Sequence, residues 1–291
     1  MDFIITLLNG LSMGGTYAMI ALGYTMVYGI AKMLNFAHGD IIMVGGYAMY
    51  VTLLLAAHPV VALLVAVVFC VILGLCVERF AYKPLRGASP LAVLITAIGV
   101  SSLLQSLAQI VFGSAPKMLM KLQISGAWQL GALRISHSTI LTLALTVVIM
   151  VALTVFVKYS KIGRAMLAVS EDRDAARLMG INTNAIIAIT FGIGSALAAV
   201  AGYSMLIKAP SLTNTLGAMP GIKAFTAAVI GGIGSIPGAM LGGILLGVIE
   251  AFSLSVPALA PFTNAVEFSI LILILLVKPA GLLGKARREK V

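Results

Sequence analysis

The sequence predicts an all-α polytopic membrane protein with about eight membrane helices in one transmembrane domain, residues 1–291. Of its 291 residues, 61% are hydrophobic and 10% are charged, whereas soluble globular proteins carry about 25% charged residues. The apolar residues form runs that can cross a hydrocarbon layer of ~30 Å at ~1.5 Å per helical residue. Because backbone groups in lipid need internal hydrogen-bond partners, these runs are expected to be helices.

Eight apolar runs follow one another along the chain. Their bounds are 3–31, 36–57, 60–78, 90–113, 139–157, 185–207, 223–251 and 263–277. No basic segment precedes the first run, as it would in a cleavable signal peptide, so we expect this run to be retained as a span.

The net charge of +10 lies mainly in three places: the connections 78–89 and 158–184, and the C-terminal segment from Lys278. Basic connections mark the cytoplasmic side of a membrane protein. The basic C-terminus is therefore expected inside and the N-terminus outside. Nucleic-acid binding is not indicated, because the chain has a single Trp and no basic helix with interleaved aromatic residues.

The run 223–251 is expected to be a broken or re-entrant segment. Eight simple spans that start outside would leave the basic C-terminus outside, on the wrong side. Proline lacks an N–H group and clustered glycines weaken a helix. The run contains such breakers at Gly231, Gly232, Gly234, Pro237 and Gly238. We therefore predict that it enters from the outer side, turns inside the protein and returns to the same side.

A second interruption falls at residues 32–40, and paired interruptions of this kind point to the central site of a transporter. It contains Asn35, His38 and Asp40. Asp40 is interpreted either as the cap of a broken helix or as part of a pathway, and His38 either as a gate or as a packing residue. In the first run, Tyr17 belongs to a polar stripe that suits pore lining or hydrogen bonds between helices.

Two carboxylates, Glu250 and Glu267, fall within or at the ends of apolar runs. A charge inside the membrane is costly, so each should face protein or water. They are expected either to line the pathway or to pair with Lys223 or Lys208.

The sequence contains no enzyme or cofactor site that we can identify. It lacks the phosphate-binding sequence G-x-x-x-x-G-K-[ST], a His/Cys metal spacing and a nucleophile elbow. Any ATPase that drives transport is therefore expected on another chain.

The connection 158–184 predicts a short amphipathic helix over residues 170–181. Ser170 is a suitable N-cap, and acidic residues follow in the first turn, where the helix dipole favours them. Gly180 suits a C-terminal stop. Such a charged helix is either a solvated interfacial helix or a docking surface for a soluble motor.

Residues 174–180 resemble the EAA-x-x-x-G coupling motif of ABC importer permeases, with Asp174 in place of Glu. Residues 35–40, 221–239 and 278–284 resemble the branched-chain amino acid permease subfamily. This resemblance extends from about residue 9 to residue 284. One part of the wider motif is missing, because no Leu-Pro pair follows the coupling motif.

The resemblance implies a permease subunit of an ATP-driven importer in a bacterial-type inner membrane. A second permease subunit, identical or homologous, two cytoplasmic ATPases that hold Mg-ATP, and an extracytoplasmic binding protein are the implied partners. The implied ATPase-coupling residues are Glu171, Asp172, Arg173, Asp174, Ala175, Ala176, Arg177 and Gly180. Related permeases for urea, amides or other amino acids remain an alternative, as does a stand-alone secondary transporter.

Overall fold

The structure, a computed structural model, describes residues 2–130 and 133–284, and it is a bundle of α-helices. Seven helical segments in these ranges are long and apolar enough to cross a membrane, which confirms the all-α polytopic fold. The helices are α1 (Asp2–Ala31), α2 (His38–Leu54), α3 (Pro59–Val77), α4 (Pro90–Phe112), α5 (His137–Tyr159), α6 (Lys161–Glu171), α7 (Arg173–Leu178), α8 (Thr183–Lys208), α9 (Ala218–Gly231), α10 (Ile236–Ser255) and α11 (Thr263–Val277).

Within the described residues, two small antiparallel strand pairs occur in the connections, where the apolar pattern does not predict strands. Strand β1 (Lys117–Met118) pairs with β4 (Ser211–Leu212). Strand β2 (Ala127–Leu130) pairs with β3 (Leu133–Ser136). The first pair ties the connection after α4 to the connection after α8.

The bundle has two distinct ends. At the first, which we call the basic end, Arg86 contacts Asn184 and Glu78. At the second, the opposite end, the Lys208 ammonium lies 2.6 Å from the Ser12 hydroxyl oxygen. The C-terminal residues 285–291, which carry most of the predicted basic tail, lie outside the described residues.

Helices α9 and α10 form the predicted hairpin, and its turn reaches the basic end. There the N–H groups of Leu282 and Leu283 donate to the carbonyls of Ile230 and Gly231, at 2.8 and 2.9 Å. The far part of α10 packs against the first turns of α1 at Gly10. The segment thus returns to the end from which it came, as predicted.

The turn of this hairpin does not lie deep in the protein, contrary to the prediction. Gly234 and Pro237 are exposed at the basic end. Gly232 and Gly234 have φ values of +105° and +92°, a conformation that costs glycine little. Ser235 then caps α10 by accepting from the N–H of Gly238 at 3.2 Å, so the break and the restart of the helix are both encoded locally.

The interruption at residues 32–40 packs against the start of α9, whereas its expected counterpart was the glycine-rich break at residues 231–238. Helices α2 and α9 are short because both begin in the interior of the bundle, where Gly39 packs directly on Gly217. A side chain on Gly217 would overlap the Gly39 carbonyl. The partner of the first interruption is therefore the start of α9, and not the glycine-rich turn at its end.

Helices α1 and α10 pack with their backbones in contact. Gly14 faces Gly247, and Ala18 faces Gly243. Small residues at four-residue spacing allow this close approach, which is a main source of helix association in lipid. The resulting pair forms the centre against which α5, α8 and α9 pack.

Candidate functional site

The predicted helix over residues 170–181 is in fact two helices, α6 and α7, with a break at Asp172. Ser170 does not cap a helix; it lies inside α6 and its hydroxyl donates to the Leu167 carbonyl at 2.7 Å. The cap of α7 is Asp172, whose carboxylate accepts from the N–H groups of Asp174 and Ala175, at 2.8 and 3.0 Å. The cap is therefore Asp172 and not the predicted Ser170.

The end of α7 matches the prediction. Gly180 has a φ of +81°. Its N–H donates to the Arg177 carbonyl, and the N–H of Ile181 donates to the Ala176 carbonyl. These two bonds form a Schellman motif. Gly180 therefore stops the helix and turns the chain toward α8.

Two arginines fix α7 to the membrane helices. The Arg173 guanidinium donates to the Ile30 carbonyl of α1, at 3.0 and 3.3 Å. The Arg177 Nε donates to the Thr183 hydroxyl at the start of α8, at 3.0 Å. Burial lowers the pKa of Arg173, and the nearby charges of Arg86 and Arg177 lower it further. Hydrogen bonds therefore connect α7 to both α1 and α8.

The outer face of α7 ends in an apolar tip formed by Leu178 and Met179, which are 89% and 81% exposed. Beside it the Asp174 side chain is 89% exposed, whereas Ala176 is buried against the bundle. The coupling motif does not single out Leu178 and Met179. The sequence does indicate this tip, because two large apolar residues directly precede the glycine that ends a charged helix.

We expect Asp172→Ala to unravel the start of α7 and Asp172→Asn to preserve it, because Asn and Asp cap helices equally well. Hydrogen–deuterium exchange of the amides at residues 174–175 measures this. The N–H bonds from Ala175 and Asp174 lower the pKa of Asp172. The stabilisation that the ionised Asp172 adds to the cap is therefore fully present above the ordinary Asp pKa of about 3.9 and is lost as pH falls through the lowered pKa. Unchanged exchange in Asp172→Ala would contradict the assignment.

Glu250 and Glu267 form a buried cluster with Lys223. The Lys223 ammonium lies 2.6 Å from Glu250 and 3.2 Å from Glu267, and all three residues are buried. The ammonium also lies 5.9 Å from the centre of the Tyr17 ring. The structure contains the expected pairing of both carboxylates with Lys223 and not the pairing with Lys208.

The residues of the first interruption form a second buried group. The Tyr82 hydroxyl donates to the Asn35 side chain at 2.8 Å. The His38 ring packs edge-on against Tyr24, with centroids 4.8 Å apart. Asp40 does not cap α2, since Ala37 holds the cap position, and its carboxylate accepts from Gln105 at 2.8 Å.

The candidate pathway residues thus fall into two groups along α1. Tyr17 marks the Lys223 cluster and Tyr24 marks the His38 group, and seven residues of helix separate them by about 10 Å. The residues of the α6–α7 segment lie apart from both groups, at the basic end. The geometry therefore combines a buried polar interior with a separate charged segment at one surface.

Known proteins are similar to this chain over nearly its whole length. The family described as "Branched-chain amino acid transport system / permease component" matches residues 6–277. The chain is 44% identical to the high-affinity branched-chain amino acid transport system permease protein BraD of Pseudomonas aeruginosa, over 98% of this chain and 97% of that protein. It is 43% identical to the corresponding protein LivH of Escherichia coli, over 99% of this chain and 98% of that protein.

Among solved structures, PsaBC from Streptococcus pneumoniae in complex with Fab is similar over 96% of this chain and 91% of that chain. The TM-score is 0.48 and the sequence identity is 16%. The family match and the two full-length relatives identify the chain, which belongs to the family of permease components of branched-chain amino acid transport systems.

Proposed function

We propose that this chain is the membrane-spanning permease subunit of an ATP-driven importer of branched-chain amino acids. The observation that carries the proposal is the α6–α7 segment. It is fixed by hydrogen bonds to α1 and α8 and presents an exposed apolar tip at the basic end. The substrate follows from the names of the full-length relatives.

The proposed assembly contains a second permease subunit, two ATPases that hold Mg-ATP, and an extracytoplasmic binding protein. The basic end faces the cytoplasm by the distribution of Lys and Arg, and the charge of the C-terminal segment predicts the same side for it. The opposite end then faces the binding protein. The proposed location is a bacterial-type inner membrane.

In this assembly, residues Glu171 to Gly180 and the tip at Leu178 and Met179 dock into a groove of one ATPase. Large exposed apolar side chains at a charged surface favour a protein contact over solvation. When the ATPases close, α7 moves with its groove. Arg173 and Arg177 then pass the movement to α1 and α8, which border the buried groups described above.

We expect the double variant Leu178→Asp/Met179→Asp to insert normally and to lose its ATPase. Burying two charges in an apolar groove is strongly unfavourable, and truncating one well-buried interface anchor alone costs about 2 kcal/mol or more. Co-purification of the ATPase with the tagged permease measures the contact, and uptake of labelled leucine by cells measures its consequence.

The matched control is Lys83→Ala, a change of side-chain charge at the basic end away from α7. It should keep both the ATPase and uptake. Retention of the ATPase by the double variant would place the docking contact elsewhere. Transport of leucine without any bound ATPase would favour a stand-alone secondary transporter.

A further inference from the structure

A polar cavity of about 390 Å³ lies at the opposite end of the bundle, between α1, α5, α8 and α10. Its polar lining includes Asn9, Thr139 and Lys208, and its apolar lining includes Met13, Ala251 and Leu254. A cavity of this size with a few polar groups on an apolar wall is typical of small-molecule sites.

The Lys208 ammonium in this cavity can donate further hydrogen bonds to a ligand. The Lys208 ammonium donates to the hydroxyl of Ser12, a fully buried residue, at 2.6 Å. Among the side chains that the structure describes, Lys208 forms no ion pair. An ammonium has three N–H donors. A carboxylate in the cavity would accept from the donors that Ser12 does not use.

The rest of the lining fits the other parts of a zwitterionic amino acid. Asn9 supplies an amide oxygen, which already accepts from Thr139 at 3.3 Å and can accept from an ammonium as well. The wall of Met13, Ala251 and Leu254 is aliphatic, as a branched side chain requires. An acidic side chain of a docked protein would use the lysine but not this apolar wall.

We propose that this cavity is the first binding site of the amino acid as it enters the permease, with Lys208 as the carboxylate contact. The proposal rests on the proposed function, which places this end toward the binding protein. It names the residues that receive the substrate and leaves the ATPase contact at the other end unchanged.

The test uses proteoliposomes that contain the complete importer and a binding protein loaded with radiolabelled leucine. Accumulated leucine and hydrolysed ATP are both measured. For Lys208→Met we expect leucine accumulation to fall by about tenfold, because the variant loses one charged hydrogen bond to the substrate carboxylate. ATP hydrolysis stimulated by the binding protein should stay within about twofold of the wild-type rate. A change of about twofold is smaller than the effect expected from the loss of one charged hydrogen bond.

Lys208→Arg should retain most transport, and Lys117→Met is the matched control, because it removes a lysine at the same end outside the cavity. If Lys208→Met fails to fold, Met13→Trp fills the cavity without a change of charge and should block accumulation. Normal accumulation in both cavity variants would overturn the proposal.

Loss of stimulated ATP hydrolysis in Lys208→Met would also overturn it, and would make Lys208 a contact for the docked binding protein. Wild-type vesicles that hydrolyse ATP but accumulate no leucine would overturn the proposed substrate, and the site assignment with it. That result differs from a defect confined to the variants.

Discussion

Replacement of Lys223 by methionine is expected to lower the free energy of unfolding by about 3–5 kcal/mol, the usual cost of removing one partner from a buried ion pair. Lys223 contacts both Glu250 and Glu267. The cluster pairs one lysine with two acidic side chains, so the variant leaves two buried carboxyl groups without a cation. Among the described residues, the second oxygen of each carboxylate has no partner within normal hydrogen-bond geometry.

The cluster also joins elements that are distant in sequence. Lys223 lies in α9, Glu250 in α10, Glu267 in α11 and the adjacent Tyr17 in α1. Loss of the Lys223 ammonium is therefore expected to weaken the packing of the α9–α10 hairpin against α1 and α11.

Unfolding of the purified protein by titration with SDS in mixed micelles measures the effect. The control is the triple variant Lys223→Met/Glu250→Gln/Glu267→Gln, which removes all three charges together. Because neutral groups of similar shape avoid the unpaired charges, it should recover most of the lost stability. A single variant as stable as wild type would show that the cluster contributes little.

Replacement of Gly247 by valine is expected to separate α1 from α10. A Cβ atom on Gly247 would overlap the backbone of Gly14. Backbone atoms of two packed helices cannot rotate aside as a side chain can, so the helices must move apart. Overpacking that forces the backbone to shift typically costs about 1–3 kcal/mol.

Gly99→Val is the matched control, because a Cβ atom on Gly99 meets no atom within 4 Å. The same SDS titration compares the two variants. We expect Gly247→Val to unfold at a clearly lower SDS fraction and Gly99→Val to behave as wild type. Equal behaviour of the two would mean that the α1–α10 contact tolerates a wider spacing.

The fold class was predictable from the sequence because lipid leaves few choices for the backbone. The apolar runs placed the membrane helices, and Gly232 and Pro237 marked the hairpin turn. The depth of that turn was not predictable, since local breakers determine where a helix stops and not how far it has travelled. The short helices α2 and α9 reach the interior because Gly39 and Gly217 meet there, a contact between residues far apart in sequence.

The candidate site was predictable to a similar extent. The motif around Asp174 and Gly180 located the α6–α7 segment, and Gly180 ends it as expected. The cap at Asp172 was missed, because Ser170 is an equally good capping residue by type alone. The choice of Lys223 over Lys208 as the carboxylate partner depends on how four helices meet, which charge patterns in the sequence do not specify.

The bonds from Leu282 and Leu283 to the hairpin turn have a consequence for biosynthesis. Ile230 and Gly231 are translated about fifty residues before the N–H groups that satisfy their carbonyls. Until residues 282 and 283 have been synthesised, the carbonyls of Ile230 and Gly231 lack these two donors. These two bonds at the basic end therefore form only when the chain is nearly finished, and a chain that ends after α11 lacks them.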